Sequence, residues 1–198
     1  MAETCDFKLA NDIAGLCDKP QVSGLKNTGW LINYDEIDFD SLTQTGNIVS
    51  QLALRSGRAY RVHVPGKTPF TGTQTAMVAG TYRNKFNKTA SIVVLDSGPD
   101  VSSKVIDQLA NGRFVFIFEN KYKGADDKNT FEIYGLEQGL TASEITNDKY
   151  SEDTDGGWAV TLIEENAPKS GIFFFSETVA ATRAAIQSLE TGTVQPGE

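Results

Sequence analysis

The sequence predicts a mainly β fold, an antiparallel β-sandwich or half-barrel with one helix inserted mid-sheet and a second near the C-terminus. Three observations carry this. Apolar residues alternate along several short segments, as they do on strands that bury one face. Turn residues punctuate those segments at short intervals. Only two stretches have helical spacing instead. The 198 residues, 39% hydrophobic and 22% charged, suffice for one globular domain with a sizeable core. Residues 1–28 read as an N-terminal arm, 29–190 as a single β-rich domain and 191–198 as a flexible tail.

The elements follow in order. "AYRVHV", Ala59 to Val64, sets Tyr60, Val62 and Val64 on one face and Ala59, Arg61 and His63 on the other, one buried and one wetter. "TAMVAGTY" (Thr75 to Tyr82) and "SIVVL" (Ser91 to Leu95) are β-branched and apolar, and the "RNKFNK" between them reads as a turn or a strand extension. In "SGPDVSSKVIDQLANG", Val101, Val105, Ile106 and Leu109 form a helical stripe over about 99–111, with Pro99 in the first turn and Gly112 as the stop. "FVFIF", from Phe114, is apolar on both faces and calls for cover on both. "FEIYGL" returns to alternation. "WAVTLI" puts Trp158, Val160 and Leu162 opposite Ala159, Thr161 and Ile163, and "GIFFFS" is a further strand. The last helix, about 177–190, has Val179, Thr182, Ile186 and Leu189 in line, Ser176 as cap and Gly192 as stop.

Charge and motifs exclude more than they assign. A net charge of −8 disfavours binding to duplex nucleic acid, which starts from basic surface. The N-terminus lacks the charged-then-apolar pattern of a signal peptide. Apolar runs such as "IFFF" fall far short of the roughly 20 residues that cross a bilayer, so no membrane partner is expected and synthesis is placed in the cytoplasm. Cys5 and Cys17 lack a second ligand pair or a neighbouring histidine and read as free thiols, not a zinc site. His63 is the only imidazole, and no nucleophile-elbow sequence accompanies it. Neither common phosphate-binding glycine motif occurs. No catalytic residue, cofactor or metal site is therefore expected. The acids cluster in "NYDEIDFD" (Asp35, Glu36, Asp38, Asp40) and "EDTDGG" (Glu152, Asp153, Asp155) without the offsets of a calcium loop, and read as solvated loop charge.

One stretch stands apart. "FVFIFENKYKGADDKNTFEIYGLEQGL" joins two apolar runs through lysines, aspartates and a glycine, and reads as a hairpin with a projecting polar tip. A two-stranded ribbon is marginal alone in water, so such a tip makes sense where a neighbour covers it. Tyr122, Lys123, Asp126, Asp127 and Lys128 are the candidate subunit contacts, with a plain solvent-facing turn as the alternative.

The segment "SIVVLDSGPDVSSKVIDQLANGRFVFIFENKYKG…FEIYGLEQGL", followed by "DTDGGWAVTLIEENAPKSGIFF", resembles virion structural proteins of tailed bacteriophages, in particular tail-tube-like proteins of phages of Bacteroides-type bacteria. The likeness runs over roughly Ser91 to Leu189 and lies in segment order and texture. It implies a non-enzymatic assembly subunit located in the virion. Copies would close into a ring, most simply a hexamer, and rings would stack into a tube that meets other virion proteins and passes DNA without binding it specifically. Ring closure also removes exposed sheet edges. An acidic lumen follows from that role, and Asp35, Glu36, Asp38, Asp153 and Asp155 are the candidate lumen or rim acids. The alternatives are a head–tail connector, tail terminator or capsid decoration protein, a monomeric ligand-binding β-sandwich, and an enzyme whose acid pair only the fold brings together.

Overall fold

The computed structural model describes residues 8–13, 20–64 and 66–192. Cys5 and Cys17, expected to be free thiols, and residues 193–198 of the expected tail lie outside the described residues. The described residues contain eleven strands, two longer helices and a 3-10 turn at Tyr34–Glu36: β1 (Leu25–Asn33), β2 (Thr43–Thr45), β3 (Ile48–Gln51), β4 (Tyr60–His63), β5 (Phe70–Val78), β6 (Lys85–Val94), α1 (residues 99–111), β7 (Phe114–Asn120), β8 (Phe131–Tyr134), β9 (Thr141–Asn147), β10 (Trp158–Ala167), β11 (Ile172–Phe174) and α2 (Val179–Thr191). The mainly β class with its two helices is as the sequence predicts.

The strands form two sheets. The larger has the order β2-β3-β11-β8-β7-β1-β4, the smaller β5-β6-β10-β9. Pairing between the named strands is antiparallel apart from β3 with β11. The chain changes sheet between β4 and β5, through α1, through the turn after β8, and again after β10.

The larger sheet is the middle layer of three. Between the sheets lie Leu31, Phe116, Phe118, Tyr134, Ile92, Val160 and Leu162, joined by Ile106 and Leu109 of α1. On its other face Trp30, Ile32, Val115, Ile117 and Ile133 pack under Ile186 and Leu189 of α2. This explains "FVFIF": alternate residues of β7 belong to different cores, so the strand is buried on both faces. Burying each such aromatic stabilises the fold by about 2–3 kcal/mol. Gly29 of β1 lies so close to Phe116 and Phe70 that a Cβ would come within 2.9 Å of both rings.

Several boundaries differ from the sequence reading. The ordered sheet begins at Leu25, inside the segment read as arm, and β1 becomes a central strand between β4 and β7. Its polar start, "LKNTG", hid it. "TAMVAGTY" stops as a strand at Val78, and "RNKFNK" divides into a turn and the start of β6 at Lys85. Tyr60, assigned to a buried face, is 45% exposed beneath the Arg58 guanidinium, because β4 is the larger sheet's edge. In α1 the five residues Ser102–Ile106 form a wider π turn. The extra residue rotates the stripe, so Ile106 and Leu109 are buried while Val105 faces outward. Gly112 follows α1 with an extended φ of −89°. It is required for space, since a Cβ there would meet the Phe114 ring at 2.4 Å. Thr178, not Ser176, caps α2, its hydroxyl accepting the Ala181 N–H at 3.0 Å.

Candidate functional site

The predicted tip does not project as a ribbon. β7 ends at Asn120, β8 starts at Phe131, and the ten residues between fold on themselves. The Asn129 N–H donates to the Lys123 carbonyl at 3.2 Å and its side-chain amide to the Tyr122 carbonyl at 3.0 Å. The Thr130 hydroxyl donates to the Asp127 carbonyl at 2.6 Å, and Lys128 pairs with Asp126 at 2.7 Å. Tyr122 and Lys123 are consequently half-buried, while Asp126, Asp127 and Lys128 remain in solvent. Local hydrogen bonds satisfy much of this loop without a neighbour.

The ribbon that reaches into solvent is β5–β6. β5 is an edge strand, paired on one side with β6 from Phe70 to Val78. Residues 71–77 are exposed on both faces. Met77, 61% exposed, and Tyr82, 97% exposed, put large apolar surface at the far end. Alternating threonines ("FTGTQTAMV") give the strand little apolar signal, so sequence reasoning did not pick it as a surface.

The acidic clusters separate. Asp35 pairs with Arg113 at 3.1 Å, and Arg55 bridges Asp38 at 3.3 Å and Asp40 at 2.7 Å. The Ser41 hydroxyl and the Arg55 guanidinium hold the Asp38 carboxyl below the ordinary carboxylate range. One oxygen of Glu36 is buried without a hydrogen bond. Asp153 and Asp155 lie in the loop between β9 and β10 of the other sheet, exposed and without an ion pair among the described residues. The structure therefore does not gather the five candidates. Two arginines offset part of the first cluster's charge, whereas no cation among the described residues pairs with Asp153 or Asp155.

A cleft of about 810 Å³ opens where β4 diverges from β6. Its walls include Leu31, Ile92, Leu109 and Phe114, and its rim carries Arg58, Arg61 and Lys104. His63 is exposed there, with Nδ1 3.1 Å from the Asn27 carbonyl and 3.2 Å from the Thr28 hydroxyl. Among the described residues no cluster of His, Cys, Asp or Glu has the arrangement to hold a metal ion.

The most unusual chemistry is buried, and sequence reasoning missed it. Lys88 of β6 and Glu164 of β10 are register partners on the face toward the larger sheet, both 0% exposed. Nζ lies 3.3 Å from Glu164 Oε2 and makes no hydrogen bond to protein. Glu164 takes the Gly135 N–H on Oε2 at 2.9 Å. On Oε1 it takes those of Glu137 and Gln138 at 3.1 and 2.9 Å. It thus pins the turn by which the chain leaves β8 for the smaller sheet. Burial drives the Glu132 and Glu137 carboxyls above their ordinary range and the Tyr134 phenol up to about 12. The legible signal was period two: Glu164 continues Trp158, Val160 and Leu162, and Lys88 precedes Ala90 and Ile92.

A second buried acid, Glu119 at the end of β7, receives Lys26 at 2.7 Å and Arg183 of α2 at 2.8 Å. Burial raises its pKa, but these two cations more than offset that and leave it lowered. Set against known proteins, the chain matches no family model, no curated protein and no solved structure.

Proposed function

We propose that this chain is a non-enzymatic, self-assembling subunit of a tailed-phage particle, of the tail-tube kind, whose copies close into rings and stack into a tube for DNA. The observation that carries the reading is the β5 edge: nine residues with a free side, seven of them exposed, and an apolar far end. Exposed edges of this length invite pairing, and a ring of like subunits satisfies them. The resemblance of Ser91 to Leu189 to phage virion proteins supplies the particle. A net charge of −8 suits a wall along which phosphate must slide without condensing. Asp153 and Asp155 are the stronger lumen candidates, because Arg113 and Arg55 neutralise much of the other cluster.

The monomeric binding module is less well supported. Its aromatic residues would gather at one end of the sandwich. Trp30 is buried instead. Tyr82 lies beyond the Phe86–Ala167 end of the small sheet and Tyr150 beyond the Val94–Trp158 end. Negative-stain microscopy of the purified chain tests the proposal. Rings or tubes are the expected result. A strictly monomeric mass in light scattering, at high concentration and across salt, overturns it.

A further inference from the structure

We propose that Lys88 and Glu164 become covalently joined, through an intramolecular amide between Lys88 Nζ and Glu164 Cδ that staples β6 to β10. The pair is brought together by the fold before any bond forms. Opposed register positions on neighbouring strands hold the reacting groups together, with Nζ 3.3 Å from Oε2. Effective concentrations are very high when both partners are fixed this way.

An ammonium has three N–H groups to satisfy, and this one makes no hydrogen bond to protein while fully buried. A buried ion pair so poorly compensated is costly to keep. Passing one proton from nitrogen to carboxylate within the pair leaves a neutral amine beside a neutral acid, and the amine lone pair is then a nucleophile.

The acceptor is equally prepared. The N–H groups of Glu137 and Gln138 converge on Oε1, where negative charge develops when the amine adds to Cδ. Oε2, nearest the amine and held by the Gly135 N–H alone, is the oxygen that leaves. The remaining groups facing the pair are Glu132 and Tyr134 from β8, Thr75 from β5 and Glu137 from the turn. Glu137 has a buried oxygen with no hydrogen bond, and burial, opposed by the Lys88 charge and reinforced by Glu164, leaves its carboxyl pKa raised. It carries the second amine proton to Oε2. The Nζ–Cδ bond forms, the Cδ–Oε2 bond breaks, and one water departs with two protons taken from the ammonium. No electrons change hands and no co-reactant is needed. Exclusion of bulk water from the site protects the amide from hydrolysis.

The reading stands apart from the assembly proposal, since it concerns one chain. The test is the intact mass of the full chain, denatured after purification. The wild type is expected to be one water lighter than its sequence, and peptide mapping to give a branched peptide joining the two strands. Lys88→Met is expected to have the full sequence mass. The wild-type measurement needs no variant to fold, and a wild-type chain of full sequence mass overturns the proposal. Glu137→Gln is expected to lose water more slowly after synthesis, and loss at the wild-type rate overturns the proton-carrier role.

Discussion

Two hairpins in this molecule have opposite characters. β7–β8 lies at the centre of the larger sheet, its phenylalanines divided between two cores and its loop knotted by its own hydrogen bonds. β5–β6 starts in the inter-sheet core at Phe70, then runs its edge strand into solvent. The conspicuous apolar sequence is the buried one, and the unremarkable threonine-rich sequence is the exposed one. Apolar alternation reports what a strand buries. Which hairpin projects depends on where the layers end.

Substitutions sharpen that contrast. Phe116→Ala, in contact with Phe70 and Phe118, is expected to cost about 3–5 kcal/mol in urea unfolding. A cost near that of a surface change would break the picture of β7 as a shared central strand.

Glu119→Gln, at the far end of the same strand, is expected to cost about 1.5–3 kcal/mol by leaving Lys26 and Arg183 without their carboxylate. The lowered pKa fixes the pH signature. The contribution of Glu119 is fully present above the ordinary carboxylate value and fades as pH falls through its lower folded value. Glu132 and Glu137 act oppositely: their raised pKa values mean that stability increases as pH falls through those values toward the ordinary one. Urea midpoints along a pH series should therefore rise on mild acidification and then drop, and Glu119→Gln should blunt the drop alone.

Replacing Tyr122 to Lys128 by an Asn-Gly turn is expected to cost about 1 kcal/mol, through the lost Asn129 and Thr130 bonds. If the tip is a subunit contact, assembly by light scattering falls as well. Normal assembly would make it only a loop. The smallest effect on folding belongs to Met77→Lys, within about 0.5 kcal/mol because the side chain already stands in water. Its effect on assembly is expected to be the larger of the two, since charge on an open edge opposes pairing. A Met77→Lys chain that assembles like the wild type would remove β5 as the joining surface.

The β class, the two helices and the double burial of β7 were legible in the residues alone, because period two and period 3.6 are written directly into neighbouring positions. So was the absence of a common catalytic motif. Other features came into being only on folding. β1 was hidden because "LKNTG" borrows its cover from β7 and β4. The π turn of α1 redirected Val105 without any change in the pattern of residue types. The acids of "NYDEIDFD" met their arginines across 15 to 78 residues of chain. Lys88, within the "RNKFNK" read as a turn or a strand extension, and Glu164, which the sequence reading did not single out, became a buried pair because the larger sheet closes over that end of the smaller one. Burial and charge pairing are properties of surfaces that meet only after folding, and local periodicity carries no record of which surfaces those are.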